Sequence, residues 1–71
     1  MRIQILCTDN KWRWVFCRAM SQGFDPLTES AVLTTERKAN AYESFGEEQA
    51  KRDMAYFTQH SHGRDTRISH D

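Results

Sequence analysis

The three histidines of this chain are the residues with the strongest metal-binding character. His60 and His62 are separated by one residue, and His70 follows near the C-terminal end together with Asp65 and Asp71. Imidazole and carboxylate groups in such a cluster can bind a divalent ion. The surrounding segment has almost no apolar residues to hold these ligands in place, so binding there would be weak. We therefore expect no metal site and no cofactor.

The two cysteines, Cys7 and Cys17, are the next candidates for chemistry. They lie much further apart in the sequence than the cysteine pairs of zinc sites, which are usually separated by about two to four residues. The chain shows no apolar secretory signal and no run of about 18 apolar residues that would cross a membrane. Cysteines of cytoplasmic proteins are normally reduced. We therefore expect two free thiols in a cytoplasmic protein that does not bind membranes.

No motif of nucleophilic, phosphate-binding or metal-dependent catalysis occurs in the sequence. Gly-x-Ser-x-Gly, the P-loop and His-Glu-x-x-His are all missing. A chain of 71 residues also leaves little room for a cleft that excludes water around several catalytic groups. Ten Lys and Arg residues balance ten Asp and Glu residues, which argues against a general attraction to nucleic acids or membranes. We therefore expect a non-enzymatic protein.

The elements that position these residues begin with a predicted β-hairpin. In the first strand, apolar residues alternate with polar ones, as in a half-buried strand. The second strand is rich in aromatic and β-branched residues. A two-residue turn at Asp9-Asn10 brings the apolar side chains of both strands to one face. The predicted pairs are Ile3 with Phe16, Ile5 with Trp14, and Cys7 with Trp12.

The rest of the chain predicts a loop over 21–28, a short antiparallel third strand over 29–34 and then a helix. Between residues 36 and 59, apolar residues recur at helical spacing and form one stripe. Gly46 interrupts this stripe and disfavours a helix interior. We favour one continuous or kinked helix through Gly46. The alternative is a break there, with Glu47 and Glu48 in the first turn of a new helix.

These elements predict an α+β fold. A small three-stranded, mostly antiparallel sheet would be packed on one face by one long or Gly-broken C-terminal helix. The domain would cover residues 1–59, and residues 60–71 would form a flexible tail that contains the histidines. The Trp-Arg-Trp run at 12–14, followed by a short strand and a helix, resembles small ββα-type repeats of uncharacterised bacterial proteins over residues 11–50. This resemblance implies no function.

The predicted helix is too long for the predicted sheet. A helix over 36–57 would measure about 33 Å, whereas a strand of this sheet spans about 20 Å. The last turns of the helix would then extend past the sheet with exposed apolar groups, so we expect a homodimer through this helix or another protein partner. The candidate partner-binding residues lie at the helix end and in the preceding loop: Met54, Tyr56, Phe57, Phe24 and Leu27.

This reasoning favours a small protein-binding module that acts as an inhibitor or regulator of a partner. Very small proteins without catalytic motifs are often accessory proteins of phages or mobile elements, and we expect this chain to be one. The alternative is a nucleic-acid-binding protein that uses a basic sheet face with Arg2, Lys11, Arg13 and Arg18. Single strands bind sheet faces that combine cations with aromatic residues. The predicted pairing instead puts the aromatic residues on the opposite face, under the helix.

Overall fold

The computed structural model describes residues 1–18 and 23–69. One antiparallel sheet has the strand order β3-β2-β1-β4 and carries one helix on one face. The elements are β1 (Arg2–Leu6), β2 (Trp12–Arg18), β3 (Val32–Thr35), α1 (Glu47–His60) and β4 (Thr66–Ser69), with a 3₁₀ turn at Lys38–Asn40. The α+β class with an antiparallel sheet and one helix is confirmed. The sheet has four strands, so the prediction of three is corrected.

The hairpin between β1 and β2 closes through a three-residue turn. The Cys7 N–H donates to the Lys11 carbonyl at 2.8 Å, and Asn10 adopts a left-handed conformation with φ 68°. Asn tolerates this conformation better than most residues, and such a residue ends the common three-residue hairpin loop. The predicted two-residue turn is therefore wrong.

This turn shifts the predicted strand register by one residue. Leu6 lies opposite Trp12, and Gln4 lies opposite Trp14. Because side chains alternate between the two faces of a strand, a shift of one residue moves a whole set of side chains to the other face. The aromatic residues of β2 therefore point away from the helix, and Arg13 and Val15 point toward it.

The third strand is shorter than predicted and begins three residues later, and its antiparallel orientation is confirmed. β3 pairs with β2 in antiparallel orientation and forms one edge of the sheet. The register between these two strands shifts between Val15 and Cys17, which marks a β-bulge. After this bulge the Arg18 side chain points toward α1.

The segment predicted as a flexible tail contains a fourth strand. In β4, Ser69 lies opposite Arg2 and Arg67 lies opposite Gln4 on β1. The left-handed residues His62 (φ 61°) and Gly63 (φ 87°) form the turn that brings the chain back to the sheet. The structure places a regular strand at Thr66–Ser69 within this segment, and the predictions for His70 and Asp71 lie outside the described residues.

The helix begins at Glu47 because Gly46 precedes it with φ 94° and ψ 169°. Glycine reaches this conformation without the steric cost that other residues incur. The prediction of a continuous helix from residue 36 is wrong. Of the alternative, the helix start with Glu47 and Glu48 in the first turn is confirmed, but a 3₁₀ turn at Lys38–Asn40 takes the place of a first helix. With 14 residues, α1 is about 21 Å long, against a largest extent of 28 Å for the molecule. The overhang that suggested a homodimer is therefore not there.

The core lies between the sheet and α1. Its buried members come from β1 and the residue after it, from β2, from β3 and from the helix: Ile3, Ile5, Cys7, Val15, Val32 and Phe57. Leu27, Tyr42 and Met54 pack against this cluster at its border. Within residues 1–18 and 23–69, no helix is long and apolar enough to cross a membrane.

Candidate partner-binding surfaces

The aromatic residues of β2 form the centre of the sheet face that points away from α1. We call this surface the outer face. Phe16 is 47% exposed there, and Trp12 and Trp14 are half-buried. The outer face consists of Arg2, Gln4, Leu6, Trp12, Trp14, Phe16, Leu33, Thr35, Arg67 and Ser69.

Side chains of β4 fasten the last strand onto this aromatic surface. The Arg67 guanidinium carbon lies 4.1 Å from the centre of the Trp12 ring, and its Nε donates to Gln4 Oε1 at 2.9 Å. The Trp14 Nε1–H donates to Ser69 Oγ at 3.3 Å. Among the described residues, Arg67 forms no ion pair. The outer face therefore combines flat aromatic surface with a cation that has no carboxylate partner there.

The four basic residues proposed for nucleic-acid binding do not share one face. Arg2 belongs to the outer face and lies 3.9 Å from Glu43. Lys11 is exposed next to the hairpin turn. Arg18 points toward the helix, where its Nη1 donates to the Tyr56 hydroxyl at 2.6 Å. The prediction that these four residues form one continuous basic surface is therefore wrong.

Arg13, the fourth basic residue, lies on the helix side of the sheet and is only 9% exposed. Its two terminal nitrogens donate to the two Asp9 carboxylate oxygens at 2.9 and 2.8 Å, and its Nε lies 3.5 Å from Glu36 Oε1. The hydrogen bonds from Arg13 lower the pKa of Asp9 to about 2. The same hydrogen bonds raise the pKa of Arg13. Arg13 therefore holds the hairpin turn and cannot contact a phosphate.

The helix end presents one of its three predicted contact residues. Phe57 is 5% exposed and belongs to the core, while Met54 packs against that core. Tyr56 is 40% exposed, lies edge-on to Phe57 and has its ring centre 4.3 Å from that of His60. The prediction that Phe57 is exposed is wrong, because the shorter helix packs this residue into the core beside the sheet.

The loop before β3 presents one of its two predicted contact residues. Phe24 is 62% exposed, whereas Leu27 is half-buried and packs against the core. The backbone N–H of Leu27 donates to Asp25 Oδ1 at 2.8 Å, which fixes the turn that directs Leu27 inward. Phe24 and Tyr56 are thus the exposed members of the predicted set.

Among the described residues, the cysteines and histidines form no cluster. Cys7 is buried, Cys17 is half-buried, and both are free thiols. Within residues 1–18 and 23–69, no group of three or more His, Cys, Asp and Glu residues is placed to hold a metal ion.

A shallow cavity of about 540 Å³ lies beside the turn that precedes β4. Arg64 lies at its rim and donates to two backbone carbonyls, so this side chain holds neighbouring segments together. Ser61 and His62 also line the cavity, but the Ser61 hydroxyl donates to the Thr58 carbonyl at 3.2 Å. No nucleophile bonded to a base is therefore found among the residues that line it.

Comparison of the chain with protein-family models, curated proteins and solved structures finds no match. Likeness to a relative therefore assigns no role to the outer face, the helix end or the loop. What these surfaces can bind follows from their chemistry.

Proposed function

We propose that this chain is a non-enzymatic protein-binding module that acts as an inhibitor or regulator by covering part of a partner protein. The observation that carries this proposal is the position of Trp12, Trp14 and Phe16 on the outer face, away from α1. Apolar surface exposed to water gains free energy when a partner covers it. We therefore place the main contact surface for a partner on the outer face rather than at the helix end.

The residue types of the outer face support a protein partner. Aromatic residues and arginine are enriched in protein interfaces, whereas lysine and acidic residues are depleted. The outer face carries three aromatic residues and two arginines, and its acidic neighbour Glu43 lies against Arg2. Tryptophan and arginine are also frequent among the few residues that contribute most of the binding free energy.

Two of the residues predicted from the sequence to contact a partner remain candidates for a secondary contact. Phe24 and Tyr56 lie outside the outer face and present aromatic surface to solvent. Met54, Leu27 and Phe57 contribute to the core instead. A cytoplasmic location remains part of the proposal and is supported by the free thiols, because cytoplasmic cysteines are normally reduced.

A photocrosslinking residue at position 16 tests the proposal. The crosslinker replaces Phe16 in the full chain, in cells that naturally make the protein, and mass spectrometry identifies the captured protein. That protein is then purified, and its affinity for the unmodified chain and for the Phe16→Ser variant is measured by calorimetry. We expect Phe16→Ser to weaken binding by about tenfold or more, as at other aromatic contact residues.

The matched control is Phe45→Ser, with the same crosslinker at position 45. Phe45 is 93% exposed and lies just before the helix rather than on the sheet, so both its crosslink and its substitution should have little effect. Equal capture from both positions, or equal binding by Phe16→Ser and the unmodified chain, would contradict the proposal.

Binding of single-stranded nucleic acid is the second candidate function. The observed hairpin register favours it more than the predicted register does. Aromatic residues and two arginines share the outer face, which is the arrangement of sheets that stack unpaired bases. Against it, Arg13 and Arg18 lie on the other side of the sheet, and Arg67 already covers one face of the Trp12 ring.

Salt dependence separates the two candidates. Binding to a labelled DNA strand of about 12 nucleotides is measured by fluorescence anisotropy at low and high salt. Binding to phosphates weakens steeply with salt, whereas contact between apolar surfaces does not. DNA binding that falls with salt and is lost in Phe16→Ser would favour the second candidate over the first.

A further inference from the structure

The sheet ends in two different edges. β3 forms one edge and β4 forms the other. A strand at an edge presents backbone N–H and C=O groups that have no neighbouring strand to bond. Whether each edge can accept a further strand depends on what those groups contact.

The outward groups of β3 are bonded by side chains of the loop before it. The Val32 N–H donates to Ser30 Oγ at 3.1 Å, and the Val32 carbonyl accepts the Thr28 hydroxyl at 2.8 Å. The Thr34 N–H donates to Asp25 Oδ2 at 2.8 Å. Three of the four outward groups of Val32 and Thr34 are therefore already bonded, which disfavours the addition of another strand at this edge.

The outward groups of β4 belong to Thr66 and Ile68. The Leu6 N–H donates to the Asp65 carbonyl at 3.0 Å, and this bond sets the alternation of the β1–β4 ladder. In an antiparallel ladder every second residue bonds the neighbouring strand, and the residues between point outward. Two N–H and two C=O groups therefore face the open side of β4. Within residues 1–18 and 23–69 these four groups have no further hydrogen-bond partner.

We propose that the edge of β4 binds an extended segment of a partner protein as an added strand. This inference deepens the proposed protein-binding function and rests on it. Strand addition is a common mode of peptide recognition, in which backbone hydrogen bonds supply affinity and alternate side chains supply specificity. Thr66, Ile68 and Ser69 are half-buried and Arg67 is exposed, so the strand is partly open to solvent.

The side chains of β4 indicate the chemistry of the added strand. On the outer face, an added residue would lie beside Arg67, whose guanidinium reaches across β1 to Trp12. It has no ion pair among the described residues, so an added carboxylate could draw it toward the open edge. An acidic side chain fits that position. On the helix side, the neighbours would be Thr66 and Ile68, which favour a β-branched apolar residue. The site therefore fits a segment in which acidic and β-branched residues alternate.

A second copy of this chain fits the edge less well. The antiparallel pairing that would bond both Thr66 and Ile68 of each copy places Arg67 directly opposite Arg67 of the other copy. Like charges in directly opposed positions destabilise a strand pair. This charge conflict favours an acidic segment of a different protein.

The test uses a synthetic peptide of about six residues that alternates valine and glutamate, added to the full chain. Hydrogen exchange of single amides is followed by NMR. We expect exchange at Thr66 and Ile68 to slow by about fivefold or more when the peptide is present. A peptide of the same sequence, with its amides methylated on the side that would face β4, should give no such protection. A peptide with lysine in place of glutamate should bind about threefold more weakly or worse.

Two protein variants separate the backbone contribution from the side-chain contribution. Ile68→Pro removes one outward N–H, and proline is tolerated on an edge strand where that N–H faces solvent. Ile68→Ala is the matched control, because it keeps the N–H and removes most of the side chain. We expect Ile68→Pro to bind the peptide about fivefold more weakly than Ile68→Ala. Arg67→Glu should reverse the preference between the glutamate and lysine peptides.

Three results would overturn the inference. They are equal binding of the methylated and plain peptides, exchange at Thr66 and Ile68 that the peptide does not change, and protection that rises with protein concentration without peptide. The last result would assign the edge to a second copy. If Ile68→Pro fails to fold, the methylated peptide still tests the unmodified chain.

The inference and the proposed function fail separately. Phe16 lies on β2, and β1 separates that strand from β4. Phe16→Ser should therefore leave the peptide-induced protection unchanged. If the peptide gives no protection in the unmodified chain, the edge site alone is overturned. If Phe16→Ser binds the captured protein as tightly as the unmodified chain does, the outer face alone is overturned.

Discussion

The β3 side and the β4 side of the sheet are fastened in different ways. On the β3 side, Asp25, Thr28 and Ser30 are each less than 9% exposed, and their side chains bond the outer edge of the strand. On the β4 side, the stack of Arg67 on Trp12 lies at the surface, and the strand edge has open backbone groups. One edge is bonded by buried polar groups, and the other is held by contacts that are only partly buried.

This difference indicates which side of the sheet can adjust its side chains when a partner binds. A buried polar group that loses its hydrogen bond costs about 1–3 kcal/mol, so the β3 side cannot rearrange cheaply. Contacts at the surface exchange with water and contribute less. The β4 side can therefore adjust its side chains to an added strand while the β3 side keeps the sheet in place.

The largest effect is expected from Asp25→Ala. The Asp25 carboxylate accepts hydrogen bonds from the Thr34 N–H at 2.8 Å, the Thr34 hydroxyl at 2.7 Å and the Leu27 N–H at 2.8 Å. Removing this acceptor leaves buried donors without partners, so the free energy of unfolding should fall by about 3 kcal/mol. Urea denaturation followed by tryptophan fluorescence measures the loss.

Asp65→Ala is the matched control on the β4 side. The Asp65 side chain is exposed, and substitutions of exposed residues usually change stability by no more than about 0.5 kcal/mol. A similar loss in both variants would mean that the β3 edge is not specially fastened by its buried carboxylate.

A smaller effect, with a defined pH range, is expected at Asp9. Arg13 lowers the pKa of Asp9 from 3.8 to about 2, so the folded protein holds this proton more weakly than the unfolded chain does. The contribution of Asp9 to stability is therefore fully present above about pH 4 and is lost as the pH falls through about 2.

The variant Asp9→Asn checks this range by urea denaturation at neutral pH and at acid pH. Asp9→Asn should be less stable than the unmodified chain at neutral pH, and the gap should close toward pH 2. Because the Asp9 carboxylate is exposed and Glu36 also lies near Arg13, the loss should be smaller than for Asp25→Ala. A gap that stays constant with pH would mean that the pairing of Asp9 with Arg13 adds nothing to stability.

The sequence predicts the two strands of the hairpin but not the turn that joins them. A two-residue turn pairs apolar residues with apolar residues throughout, which makes it attractive on pattern alone. The structure instead places Arg13 on the helix side, where it bonds the two oxygens of Asp9. A pattern of apolar residues cannot reveal a paired cation on the core side, because it treats every arginine as exposed. The left-handed tendency of Asn10 does not distinguish the two turns, because a two-residue type I′ turn and a three-residue loop both place a residue with positive φ there.

The fourth strand and the helix start depend on different signals. In β4 a single apolar residue, Ile68, alternates with polar ones, which is too weak a pattern to distinguish a strand from a flexible end. Its stability comes from pairing with β1 and from Trp12 and Trp14, which are distant in sequence. Gly46 by contrast is a local signal, because its positive φ ends any helix that approaches it.

The candidate surface moves with the turn. Both aromatic residues and cations are candidate contact residues in the sequence, but the predicted register buries the aromatic residues and exposes the cations. A shift of one residue in the register moves Trp12 and Trp14 to the outer face and Arg13 to the helix side. A surface on a sheet is therefore only as predictable as the turn that sets its register.

The smallest effect is expected from Arg67→Ala, on the open side of the sheet. This change removes the stack on Trp12 and the hydrogen bond to Gln4, which together should contribute about 1 kcal/mol at an exposed site. Arg67→Lys keeps the charge without the planar group and should lie between the alanine variant and the unmodified chain. Urea denaturation measures both variants under the conditions used for Asp25→Ala. If Arg67→Ala lowers the free energy of unfolding as much as Asp25→Ala does, the two sides of the sheet are held equally firmly. The β4 side could then not adjust to an added strand more easily than the β3 side.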